Sequence, residues 1–146
     1  ITVYEALYER IPDNPILANN LASMLSTYRE DEESLERAYA IARRLRGSDV
    51  PQFQDTYGWI AFRRGDLTEA GTYLESAAEA LTEEALVQFH YGMFLAADGQ
   101  VQAAIDQLNQ AIELAGPEDS RPQFETARAE IMRLEALEAE AVEQAQ

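Results

Sequence analysis

The sequence predicts an all-α solenoid of antiparallel helix pairs, on three observations. Shifting the chain by 34 residues lays its middle on itself, so that Tyr57, Gly58, Gly65, Ala70, Leu74 and Ala77 return as Tyr91, Gly92, Gly99, Ala104, Leu108 and Ala111. A period of this size marks arrays whose units bury their apolar faces only against their neighbours. Small residues recur at fixed intervals: Gly58 to Ala70 is 12 residues and Ala70 to Ala77 is 7, and the second copy repeats both. Helices that cross closely need small residues at the contact, so Gly58 admits a second helix that carries Ala70 and Ala77 on one stripe. Finally, Gly65-Asp66 and Gly99-Gln100 stand where one helix must stop and the next begin. Each unit reads as helix, turn, helix.

The elements follow in chain order. Residues 1–14 read as the second helix of a truncated preceding unit, with Tyr4, Leu7, Tyr8 and Ile11 spaced for one face. Residues 15–50 read as a degenerate unit in which Ala22 takes the place of Gly58, Ala38 that of Ala70, and Leu45 that of Ala77. Ala22 to Ala38 is 16 residues rather than 12, so four extra residues, Arg29-Glu30-Asp31-Glu32, are assigned to its turn. Residues 51–84 and 85–118 are the two regular units, closed by Gly116-Pro117. In the first of them Asp66 and Glu69 have capping-box spacing. Residues 119–146 read as a C-terminal capping helix. Ser120-Arg121-Pro122-Gln123 has the form of a helix start, and Phe124, Ala127, Ile131 and Leu134 make one narrow apolar stripe. The stripe stops near Leu137, and the acidic turns beyond it are expected to fray. The chain starts on Ile1, within an expected helix, and is taken as a piece of a longer protein.

On these residues, the chain resembles the tetratricopeptide repeat family. Its pattern of early small residue, Gly-Asp-like turn, two later small residues and closing breaker is supplied across 51–116 and more weakly upstream. The resemblance implies a right-handed superhelical solenoid whose first helices line a concave face that grips another protein or peptide. The positions that face it are Asn19 and Ser23 in the degenerate unit, Asp55, Trp59, Phe62 and Arg63 in the next, and Phe89 and Met93 in the third. Trp59, Phe62, Phe89 and Met93 would form an apolar patch of the kind that marks interaction sites. One use of the family, gripping the C-terminal carboxylate of chaperone peptides, needs lysine and asparagine on these helices. The chain has no lysine, so that ligand class is not expected. Asn19-Asn20-Leu21-Ala22, Asp55-Thr56-Tyr57-Gly58-Trp59 and His90-Tyr91-Gly92 are also similar to bacterial members associated with exopolysaccharide and envelope-sorting systems.

Charge narrows the partner class. The formal net charge of −16 argues against nucleic acid, whose phosphates require a basic surface, and against anionic membrane surfaces. No apolar run approaches the ~20 residues of a spanning helix. Residues 37–64 invert the balance, with six arginines against Asp49 and Asp55, or +4. Arg43, Arg44, Arg46, Arg63 and Arg64 precede glycines, where cations complement a helix C-terminus; an acidic-peptide contact is the competing reading. Asp31-Glu32-Glu33 and Glu83-Glu84 read as first-turn acids, the latter capped by Thr82. His90 is the only histidine and there is no cysteine, which leaves neither a nucleophile motif nor clustered metal ligands. The chain is read as no enzyme, with no cofactor or metal. Its function is expected to be a protein- or peptide-binding scaffold in the cytoplasm or periplasm, the alternative being a structural module that associates with itself and has no separate ligand.

Overall fold

A computed structural model of the chain describes residues 1–145. Among them stand eight α-helices and no β-strand: α1 (Thr2–Arg10), α2 (Pro15–Tyr28), α3 (Glu32–Ala42), α4 (Pro51–Arg63), α5 (Leu67–Ala80), α6 (Ala85–Ala97), α7 (Val101–Ala115) and α8 (Pro122–Ala145). A 3-10 turn, Arg43–Leu45, follows α3. The chain divides into two compact units, Ile1–Ala77 and Ala78–Gln146.

In the first unit Ala18, Leu21, Ala22 and Leu25 of α2 meet Ala38, Ile41 and Ala42 of α3, with Leu45, Tyr57 and Ile60 completing the core. Asn14 caps α2 through Leu17 N–H (3.1 Å), and Pro15 takes the first helical position, where its missing N–H costs nothing. Asp31 caps α3 through Ser34 N–H at 2.8 Å, a bond that holds its carboxyl below the ordinary range. The long turn is therefore Arg29–Asp31, and Glu32 belongs to the helix. Leu45, placed by the sequence on a regular second helix, is instead buried by the 3-10 turn. The expected stripe of α1 is divided. Tyr4 and Tyr8 lie against the core, while Leu7 and Ile11 face solvent.

The small-residue spacing has a direct geometric meaning. A Cβ added to Gly58 would stand 2.9 Å from Leu74 Cγ and 3.1 Å from the Leu74 backbone nitrogen. At Gly92 in the second unit the same atom would stand 2.7 Å from Leu108 Cδ2 and 3.3 Å from the Leu108 nitrogen. In both pairs the backbones approach too closely for a side chain, so α4/α5 and α6/α7 reproduce one helix–helix contact.

The helix stops are also reproduced. Asp66 N–H bonds Ala61 carbonyl at 2.9 Å and Gly65 N–H bonds Phe62 carbonyl at 3.0 Å. Gln100 to Leu95 (3.0 Å) and Gly99 to Ala96 (3.2 Å) repeat this paired closure. It turns the chain through φ of +88° at Gly65 and +81° at Gly99, a left-handed conformation that penalises any Cβ. Gly65→Ala and Gly99→Ala are each expected to lower stability by about 1 kcal/mol. No atom crowds either position within 4 Å, so thermal melts that overlay the parent would show that the left-handed turn is dispensable.

In the second unit α6 packs on α7, and α8 packs on both. Phe124, Ala127, Ile131 and Leu134 are the buried residues of α8, the stripe the spacing predicts. Two helix starts differ from the sequence reading. Helix α6 begins at Ala85, with Glu84 at its N-cap making no side-chain bond, so Thr82 and Glu83 lie in the preceding turn. Helix α8 begins at Pro122 rather than after a Ser120 cap, and Asp119 accepts both the backbone N–H (3.0 Å) and the guanidinium of Arg121. Among the described residues no helix is long and apolar enough to cross a membrane.

Candidate functional site

The expected binding residues belong to α2, α4 and α6. In the first unit α4, which carries Asp55, Trp59, Phe62 and Arg63, packs on α2, which carries Asn19 and Ser23. All six are half-buried. Trp59 and Phe62 are one helical turn apart and stack with ring centroids 5.1 Å apart at 20°, making an aromatic pair that is partly accessible. Ser23 offers its carbonyl to the buried Ser26 hydroxyl at 3.1 Å. The side-chain oxygen of Asn19 is shielded from solvent and has no hydrogen-bond partner, and its amide makes only a 3.4 Å contact to Asn20 Oδ1.

Arg63 has a different place from the one the sequence reading assigned. Its guanidinium reaches back to the end of α2 and donates to the carbonyls of Ser26 (2.6 Å) and Arg29 (3.1 Å). The last carbonyls of a helix lack intrahelical donors and carry the negative end of its dipole. Arg63 is thus the C-terminal cap of the neighbouring helix. In the second unit, Phe89 is corrected too. It is only 3 % exposed, and its ring meets Phe124 of α8 at 6.4 Å. Phe89 is core; Met93 stays half-buried on α6.

The other arginines of the basic segment are bound inside the first unit. Arg37 pairs with Glu5, and Arg44 donates to Pro12 carbonyl with its guanidinium 5.2 Å from the Tyr8 ring centre. Arg64 pairs with Glu36 at 2.9 Å and lies 3.6 Å over Tyr39. Arg46 pairs with Glu69 at 2.5 Å. That same carboxylate accepts the hydroxyl of buried Tyr57, whose phenol is pushed up by burial and by Glu69. Asp66 does cap α5 through Glu69 N–H at 3.1 Å, but the Glu69 side chain serves Tyr57 and Arg46.

A pair of glutamines escaped the sequence reading. Gln54 donates to Ser48 carbonyl at 3.0 Å and accepts the Ser76 hydroxyl at 3.0 Å. Gln88 donates to Ala78 and Leu81 carbonyls at 3.0 and 2.9 Å and accepts from Gln107. In both α4 and α6, one glutamine amide holds the stretch of chain that precedes the helix. The signal was present, because the same shift of 34 residues carries Gln54 onto Gln88. Glu69 left no such trace: its counterpart is Ala103.

His90 is buried beside Phe89, with ring centroids 5.8 Å apart. Among the described residues no group of three or more His, Asp or Glu side chains is placed to hold a metal ion. No known family model matches the sequence. None of the curated proteins matches it either.

Proposed function

We propose that this chain is a non-catalytic scaffold of the tetratricopeptide type, a right-handed superhelical solenoid of helix pairs closed by α8. In this reading it binds a protein or peptide on the α2/α4 face of its first unit. The repeated glycine contacts, paired helix stops and amide clamps support the repeat reading. The observation that carries the binding reading is the half-buried Trp59–Phe62 stack on α4. Aromatic residues in such settings supply most of the energy of many interfaces. Trp59→Ala is expected to weaken a partner recovered by affinity capture by about 2 kcal/mol, or roughly thirtyfold, with helix content unchanged. Exposed Glu75 on α5 is the control, and Glu75→Ala should leave the affinity as it was. Calorimetric titration decides between them. A Trp59→Ala protein that melts far lower would make Trp59 core and move the ligand surface elsewhere.

A second reading, self-association without a separate ligand, is favoured by the outer face of α1 and the start of α2. Val3 is 70 % exposed and Ile16 60 %, with Leu7 and Ile11 also in solvent. An apolar row of this kind is a surface for another helix. Light scattering over a concentration series tests it: a dimer abolished by Val3→Glu supports this reading, and a monomer throughout removes it.

A further inference from the structure

We infer that α1 is a latch over a second docking surface, one that stands apart from the reading of the α2/α4 face. From within the chain, α1 fills a helix-binding surface built by α2, α3 and the 3-10 turn. When α1 leaves, that surface takes a partner's amphipathic helix of the same chemistry: two aromatic side chains one turn apart and a carboxylate beside the first. Burial secures α1 less than any other helix. Among the described residues it is the one helix with no buried residue. Ile1, Tyr4 and Tyr8 lie half-buried against the core of the first unit, while Val3, Leu7 and Ile11 are in solvent. Its other ties are polar. Arg37 of α3 pairs with Glu5. Arg44 of the 3-10 turn donates to Pro12 carbonyl, just past the helix, with its guanidinium 5.2 Å from the Tyr8 ring centre. Partly exposed ties of this kind add little and are screened by salt. A helix so held opens at a lower free energy than the unit around it. Its nine residues are too few to stay helical once detached, so undocking and loss of the helix are one event.

Helix α2 does not need α1 in order to begin. Asn14 caps it through Leu17 N–H, and Pro15 takes its first position, so α1 can leave without uncapping α2. Opening separates Arg37 from Glu5, Arg44 from Pro12 and Tyr8, and both tyrosines from the core. The two cations stay on elements that remain folded, beside apolar surface that α1 has bared. An incoming helix gains most by repeating what α1 did. It needs aromatic rings at i and i+4, as Tyr4 and Tyr8 are, and an acid at i+1, as Glu5 is. This is helix-in-groove recognition, with a charge-assisted bond that fixes the register. Arg37 and Arg44 thus become ligand contacts only when the latch opens.

Hydrogen exchange on the whole chain tests the latch. The amides of Glu5 to Ile11 are expected to exchange faster than those of α2 and α3, yet slower than in a free peptide of residues 1–14. Arg37→Gln and Arg44→Gln should each speed them about threefold, and added salt should speed them in the parent, with α2 and α3 unchanged. Protection equal to that of α2 would make α1 an integral helix, and exchange at the free-peptide rate would make it an undocked one. Indifference to both substitutions would remove the arginine clamp. Any of these overturns the inference. The ligand class is tested by the fluorescence anisotropy of a labelled peptide of residues 1–14. A chain carrying Tyr4→Ser, Glu5→Gln and Tyr8→Ser is open in cis and is expected to bind it about tenfold or more tighter than the parent. The parent's own α1 competes at the high effective concentration of a tethered segment. A Glu5→Gln peptide should bind the opened chain about threefold more weakly. If the opened chain keeps α2 and α3 protected but binds no better than the parent, the surface is no docking site. If it loses that protection, α1 is integral, and the inference falls on either result.

Discussion

Ala104→Arg is expected to abolish cooperative folding of the second unit, and Ala70→Arg to do the same to the α4/α5 pair. Both alanines are fully buried. Each lies on the helix that meets a glycine so closely that even one carbon would collide. A guanidinium there has no room and no partner. Overpacking costs about 1–3 kcal/mol, and stranding a charge costs roughly 3–5 kcal/mol more. Set against a total stability of about 5–15 kcal/mol, the sum removes most of the margin. Ala103→Arg, one residue away and exposed, is the control and should melt like the parent. Circular dichroism melts decide it; an Ala104→Arg curve that overlays the parent would show that α6 and α7 do not pack as described.

Removal of residues 120–146 carries the other large effect. It withdraws Phe124, Ile131 and Leu134, all buried, from the second unit. Each is worth about 1.5–3 kcal/mol of burial. The loss also uncovers Phe89, whose ring faces Phe124. The truncated protein is expected to melt at a much lower temperature and to associate through the bared surface. Removal from residue 138 onward should change little, because the buried stripe ends at Leu134 and Leu137 is already in solvent. A long truncation that stays monomeric with an unchanged melt would make α8 a tail and not a cap.

The candidate site was legible in part. Trp59 and Phe62 follow, as half-buried residues, from their positions relative to Gly58, since one residue turns a side chain about 100° around a helix. Phe89 did not, because its fate depends on α8, which comes from 35 residues further along the chain at Phe124. Nothing in the local pattern of α6 says that a later ring will cover that position. Arg63 failed for a related reason. Sequence placed it at the end of its own helix, where it complements that dipole, but its long side chain serves the end of α2 instead.

By itself the sequence determined the helix pairs, their glycine contacts and their stops. These depend on short-range requirements: a small residue where backbones touch, a left-handed residue where a helix ends, and a period that repeats both. Cap positions were less secure, as Thr82 and Ser120 show, because several polar residues compete for each helix start and the winner is set by where the preceding turn is held. Only the tertiary structure decided which charges and rings are engaged within the fold. The basic segment of 37–64 is cationic in composition, yet its arginines turn to carboxylates and carbonyls 28 to 37 residues away along the chain in four of the five cases. Long side chains choose partners in space, and a sequence read along one helix at a time carries no record of which helix will lie beside it.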